Sequence, residues 1–202
     1  MEIKVVGGDI AQLQIPAVIV NLFQGVTAPG GATGAADRAL DGAISQLIED
    51  GEIRGKRGEL TLIHTLGKMA PSRVLVAGLG KESDLSEDTV REVTAQACRR
   101  LRGLGAASIA TVAHGAGIGG MDARATGQAI AEGAVLGLYR FDKYKSRDDD
   151  RRSVDDLAIV ELDGGKVGDI RWGVERGVLL AEAANLCRDM VNEPANKMTP
   201  TR

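Results

Sequence analysis

Aromatic side chains are scarce. Trp172, Tyr139, Tyr144, Phe23 and Phe141 make up 2% of the 202 residues. A core must therefore be assembled from Ala, Val, Ile and Leu at close range, and there are too few rings for a base-stacking platform. Histidine and cysteine are also rare: His64, His114, Cys98 and Cys187. Their dispersal excludes the ligand spacing of a structural zinc site. The two cysteines lie far apart, each in a helical pattern, and read as reduced, half-buried thiols of a cytoplasmic protein. The net charge is only −3, so no electrostatic affinity for nucleic acid or anionic lipid is implied. No apolar run approaches the ~20 residues that cross a bilayer. The opening MEIKVVGGDI lacks the basic and apolar regions of a secretion signal. There is no P-loop, no G-x-S-x-G elbow, no H-E-x-x-H, and no nucleophile with an adjacent base.

Glycine, by contrast, is plentiful, with 27 residues against a usual share of ~7%. Short β-branched runs alternate with longer helical stretches. Strands are predicted at Ile3–Val6, Ala17–Val20, Leu60–His64, Val74–Gly78, Ser108–Ala113 and Val154–Glu161. LGKMAPS reads as the turn joining the third and fourth. Ala36, Leu40, Ile44 and Leu47 share one helical face, stopped by Gly51. Ser86 caps a second helix with an acidic first turn, Glu87 and Asp88, and an inner stripe of Val90, Val93, Ala97, Leu101 and Leu104. A third helix spans about 122–139, and a fourth runs from an N-cap at Asp169 to Met190. The alternation predicts one α/β domain, a three-layer α/β/α arrangement on a mixed, mostly parallel sheet.

In the third helix Ala125, Ala129, Gly133 and Gly137 recur every four residues, which permits close backbone approach and predicts packing on the sheet. Tyr139, Phe141 and Tyr144 at its exit are expected to pack the domain's end or a seam to another domain. The charge run Asp148–Arg152 reads as a solvated loop. The closing MVNEPANKMTPTR is irregular around Pro194 and Pro200 and reads as a linker into a further domain.

Two glycine-rich loops, TAPGGATGAAD and HGAGIGG, each join a strand to a helix. In an α/β sheet such loops sit at the carboxyl ends of strands, where ligands bind. Their N–H groups could hold a phosphate, or the glycines could simply make tight turns. His64, within a strand, reads as a packed or edge residue. His114 sits at a strand end, where either a structural or a functional role is open.

The opening IKVVGGDI, AVIVN and GGATGAADRALDGAI resembles that of macro domains, which bind ADP-ribose. That resemblance implies adenine contact for Asp9 and a ribose-phosphate surround from Asn21, Gly30 and Gly31, with Gly117 and Gly119 of HGAGIGG as the second phosphate loop. Gln24 stands where a second Asn is expected, and the usual run of four glycines is reduced to two. The reading that follows is a free-standing nucleotide-binding module.

EGAVLGLYRFDKYKS, Glu132–Ser146, and NLCRDMVNEPANKMTPTR, Asn185–Arg202, resemble signatures of the leucyl aminopeptidase (cytosol aminopeptidase) family, and VLVAGLGK, Val74–Lys81, agrees. In the second, Asn192, Pro194, Asn196, Thr199 and Pro200 match an Asn-x-Pro-x-Asn-x-x-Thr-Pro stretch. The family's N-terminal domain shares the macro-type fold, so the two resemblances are consistent. The second implies that residues 1–190 form a macro-like N-terminal domain and that 191–202 begin the linker to a C-terminal catalytic domain. The parent is then expected to be a cytoplasmic homo-hexamer that removes leucine-like N-terminal residues from peptides. Its two divalent metal ions, Mn or Zn, activate a water and polarise the scissile carbonyl. Their ligands lie around an Asn-Thr-Asp-Ala-Glu-Gly-Arg motif that these 202 residues lack. No catalytic residue, metal ligand or cofactor is therefore assigned here, and the domain alone is expected to be structural and inactive, without nucleic-acid or membrane partners.

Overall fold

A computed structural model describes residues 1–116, 120–145 and 152–198. Among these, six strands form one sheet: β1 (Glu2–Gly7), β2 (Ala17–Phe23), β3 (Leu60–His64), β4 (Arg73–Gly80), β5 (Ser108–Val112) and β6 (Asp156–Glu161). Their spatial order is β1-β6-β5-β2-β4-β3. Every neighbouring pair is parallel except β3 with β4. The strands are short and β-branched, and the central ones are buried on both sides, as covered parallel sheets require.

Side-chain alternation divides the core in two. Ile19, Leu75, Ile109, Leu157 and Ile159 face the helices α3 (Glu87–Gly103), α4 (Ala123–Leu138) and α5 (Gly164–Asn192). Val18, Val20, Val74, Val76 and Ala110 face α1 (Gly31–Ala39), α2 (Ala43–Glu49) and a short 3₁₀ turn at Ile10–Gln12. The architecture is the expected three-layer α/β/α. No helix among the described residues is long and apolar enough to cross a membrane.

Three expectations need correction. The stretch after Ala36 is two helices rather than one, because Asp41 (φ 56°) and Gly42 (φ 82°) adopt left-handed backbone. The break is held by the buried Asp37 carboxylate, which accepts from Ile44 N (2.8 Å), Ser45 N (3.0 Å) and Ser45 Oγ (2.6 Å). α5 starts five residues before Asp169. Asp163 is its N-cap and accepts from Gly165 N at 2.9 Å, so a cap outweighs the poor helix propensity of Gly164, Gly165 and Gly168. The cysteines are not half-buried alike: Cys98 is buried and Cys187 exposed, both free thiols.

The glycines of α4 contact helices, while Ala129, Ala131 and Ala134 join the core cluster that includes the strand residues Ile19 and Ile109. A β-carbon on Gly133 would sit 2.4 Å from the Arg91 carbonyl oxygen of α3, and one on Gly173 of α5 would sit 2.0 Å from that of Arg124 in α4. Only glycine permits such separations, so α4 is wedged backbone to backbone between its neighbours. Ser86 caps α3 as expected, accepting from Thr89 N at 3.2 Å.

Candidate functional site

Parallel strands bring the loops after β1, β2 and β5 to one end of the sheet, where β2 lies beside β5. Asp9 follows β1 and is exposed, its carboxylate accepting from Ala11 N at 2.9 Å to cap the 3₁₀ turn. Asn21, near the end of β2, is half-buried. Its backbone oxygen accepts from Thr33 Oγ1 (2.6 Å) of α1, and its side-chain amide donates to His114 Nδ1 at 3.1 Å. Gly30 is the N-cap of α1 and Gly31, at φ 53°, its first residue. Gly117 and Gly119 lie outside the described residues. The geometry therefore joins Asn21 to the first helix and to the β5 loop, while Asp9 is committed locally.

His114 is fully buried. Because Asn21 donates to Nδ1, the ring proton sits on Nε2 and points to Thr111 Oγ1 at 2.9 Å, and that hydroxyl donates in turn to Val112 O at 3.3 Å. Burial pushes the imidazole down to about 4, so it is neutral at physiological pH. These bonds crosslink β2 to the β5 loop. His64 lies on the outer strand β3 and is exposed.

A second convergence involves the two most distinctive sequence stretches. Tyr139, just past α4, donates to Asp189 (2.7 Å) and accepts from Asn192 (3.2 Å), with the Arg188 guanidinium stacked 4.0 Å over its ring. Arg188 also donates to Leu136 O at 3.2 Å and Asn185 to Val135 O at 3.4 Å, while Arg102 of α3 donates to Leu138 O at 2.9 Å. These side chains satisfy carbonyls that a helix end leaves unpaired. Glu193 pairs with both Lys143 and Tyr144, and Phe141 packs on Tyr144 at 5.9 Å. Those partners, Lys143 foremost, hold the Glu193 carboxyl below its ordinary value. The aromatics thus clasp 139–145 onto the end of α5, the domain-end packing expected of them. Neither Asp189 nor Glu193 is marked by local sequence; the signal was the pair of motifs themselves.

The hollow between α3 and α4, about 420 Å³, is lined by Arg57, Asp88, Arg91, Glu92, Arg99 and Glu132 among others. Its charges offset one another: Arg91 pairs with Glu87, Asp88 and Glu132, and Arg57 with Glu92. Among the described residues no group of three or more His, Cys, Asp or Glu could hold a metal ion. The described residues therefore do not supply the donor set of a two-metal centre.

The sequence model of the cytosol aminopeptidase family, N-terminal domain, matches residues 19–148. The chain belongs to this family. A probable cytosol aminopeptidase of Alkaliphilus oremlandii is 33% identical over 202 residues, covering 100% of this chain and 40% of the relative. A second, from Alkaliphilus metalliredigens, is 34% identical with the same coverage. The chain thus spans about 40% of the length of these curated relatives. Among solved structures, the bottromycin maturation enzyme BotP in complex with Mn is similar at 26% identity and TM-score 0.68, covering 93% of this chain and 34% of that one. A tomato leucine aminopeptidase mutant shares the fold at TM-score 0.78 and 22% identity, covering 99% and 40%. A Trypanosoma brucei macrodomain in complex with ADP shares it at TM-score 0.63 and 16% identity, covering 85% and 68%. The cytosol aminopeptidase N-terminal domain is therefore built on a macro-type fold, as the opening of the sequence suggested.

Proposed function

We propose that this domain is the non-catalytic part of an aminopeptidase that removes leucine-like N-terminal residues from peptides. Residues 1–190 form the domain and 191–202 lead to a C-terminal catalytic domain. That domain holds two divalent ions, Mn or Zn, and the protein works as a cytoplasmic homo-hexamer. The observation that carries this reading is the relatives' match along the whole chain, at 40% of their own length. BotP's complex with Mn supports the metal dependence. The domain's own part is mechanical: the clasp of Tyr139 and Tyr144 on Asp189, Asn192 and Glu193 fixes how the chain leaves α5.

The test compares the 202-residue chain with the full product of its reading frame, using leucine p-nitroanilide and Mn²⁺. The chain alone is expected to be silent, and the full product to turn over substrate and lose activity with chelator. Turnover by the 202 residues alone overturns the proposal. Calorimetry with ADP-ribose addresses the nucleotide alternative at Asp9, Asn21, Gly30, Gly31, Gly117 and Gly119. Because the Asn21 amide is engaged by His114 and Asp9 by Ala11, binding weaker than about 1 mM, worth only ~4 kcal/mol, is expected.

A further inference from the structure

α5 has two faces. Ile170, Gly173, Val174, Gly177 and Ala181 are buried, with Gly173 and Gly177 set against the α4 backbone. Nearly opposite, Trp172, Arg176, Leu179, Ala183, Leu186 and Met190 recur at alternating intervals of four and three residues. That spacing makes one continuous seam of the kind a second helix packs against. The seam is about 27 Å long at 1.5 Å per residue. All six of its residues are exposed: Trp172 at 46%, Leu179 at 69%, Leu186 at 60% and Met190 at 44%. Arg124 and Arg176 flank the Trp172 ring at 5.1 and 5.7 Å, an aromatic–arginine grouping typical of interface hot spots. An exposed seam of this length, apolar but for Arg176, marks an interaction site.

We infer that this outer seam of α5 is the surface on which the downstream catalytic domain of the same polypeptide docks. The inference rests on the aminopeptidase reading, since about 60% of each relative's length lies outside the matched region. A second copy of the chain is the poorer occupant. Along one flank of the seam Glu175 and Glu182 lie seven residues apart. In an antiparallel pair this acidic flank faces itself. In a parallel pair it faces the apolar flank of Leu180 and Cys187, desolvating carboxylates without partners. The fitting occupant has an apolar face bordered by Lys or Arg on the side that meets Glu175 and Glu182.

Cys187 borders the seam and is exposed, while Cys98 is buried, so the chain carries its own probe and control. The 202-residue chain and the full product of the reading frame are labelled with a maleimide, and the peptides bearing Cys187 and Cys98 are quantified over time. Cys187 is expected to react at least about tenfold more slowly in the full product, and Leu186→Asp to restore its rate there, with Cys98 unreactive throughout. Equal Cys187 rates in the two proteins overturn the inference. So does a concentration-dependent dimer of the 202-residue chain that Leu186→Asp dissolves, which would assign the seam to self-association. Peptidase activity of the full product is measured alongside. An active protein with an unprotected Cys187 rejects the docking alone, whereas an inactive one with Cys187 protected rejects the activity and keeps the docking.

Discussion

On one side of the sheet α3, α4 and α5 touch backbone to backbone through glycines. On the other, α1 and α2 rest on the strands through side chains and are joined by a left-handed turn that one buried carboxylate holds. The first side is a rigid block whose spacing is set by missing β-carbons. The second is a set of short pieces fixed by buried polar bonds, Asp37 to Ile44 and Ser45 and Thr33 to the Asn21 backbone. Rigidity on the first side gives α5 a fixed bearing for its exposed seam. Polar fixation on the second leaves loops that can differ without disturbing the helical block.

The sharpest way to break this contrast is to add atoms to the block. Gly173→Val places a β-carbon 2.0 Å from the Arg124 carbonyl oxygen and is expected to cost about 3 kcal/mol or more. Gly168 lies in the same helix with nothing within 4 Å of a β-carbon. Gly168→Ala is expected to stabilise by roughly 0.5–1 kcal/mol. Urea unfolding of both variants measures the pair. Two changes of the same sign would mean that close approach does not set the block.

The buried polar crosslink between β2 and the β5 loop is tested with acid. His114 titrates near 6.5 when unfolded and at about 4 in the fold, so the unfolded chain takes up its proton first as pH falls. Its contribution is complete above pH 6.5, declines between 6.5 and about 4, and is absent below. At about 1.4 kcal/mol per pH unit this amounts to about 3 kcal/mol. Unfolding free energy measured across that window is expected to lose this slope in His114→Gln. An unchanged slope would show that the ring is not the buried neutral crosslink described here.

How much of this was visible in the sequence depends on the distance between partners. Spacing by four in Ala125, Ala129, Gly133 and Gly137 announced close approach, because it is local. It could not say that the neighbour would be a helix, since the Arg91 carbonyl is some forty residues away. Asp37 as the joint of α1 and α2 was missed because a continuous apolar face outweighed two left-handed residues. Likewise the apolar face at Ile170 and Val174 was legible, but the cap at Asp163 was hidden by the glycines after it. Asn21 was singled out by resemblance, yet its pairing with His114 joins residues 93 apart, and no period reports that.

The clasp at the end of α5 offers the smallest and most local effect. Tyr139→Phe deletes a hydroxyl bonded to Asp189 at 2.7 Å and to Asn192 at 3.2 Å, while the ring beneath Arg188 is retained. These partners are at the surface, where such bonds add little to global stability. The unfolding midpoint is therefore expected to hold while amide exchange quickens over residues 186–192, where the helix end opens without the rest of the fold. The exchange rates of the glycine-packed segment of α5 around Gly173 should not move. If they rise together with those at 186–192, α5 opens as one cooperative unit, and the difference between a block set by backbone contact and an end held by side chains disappears.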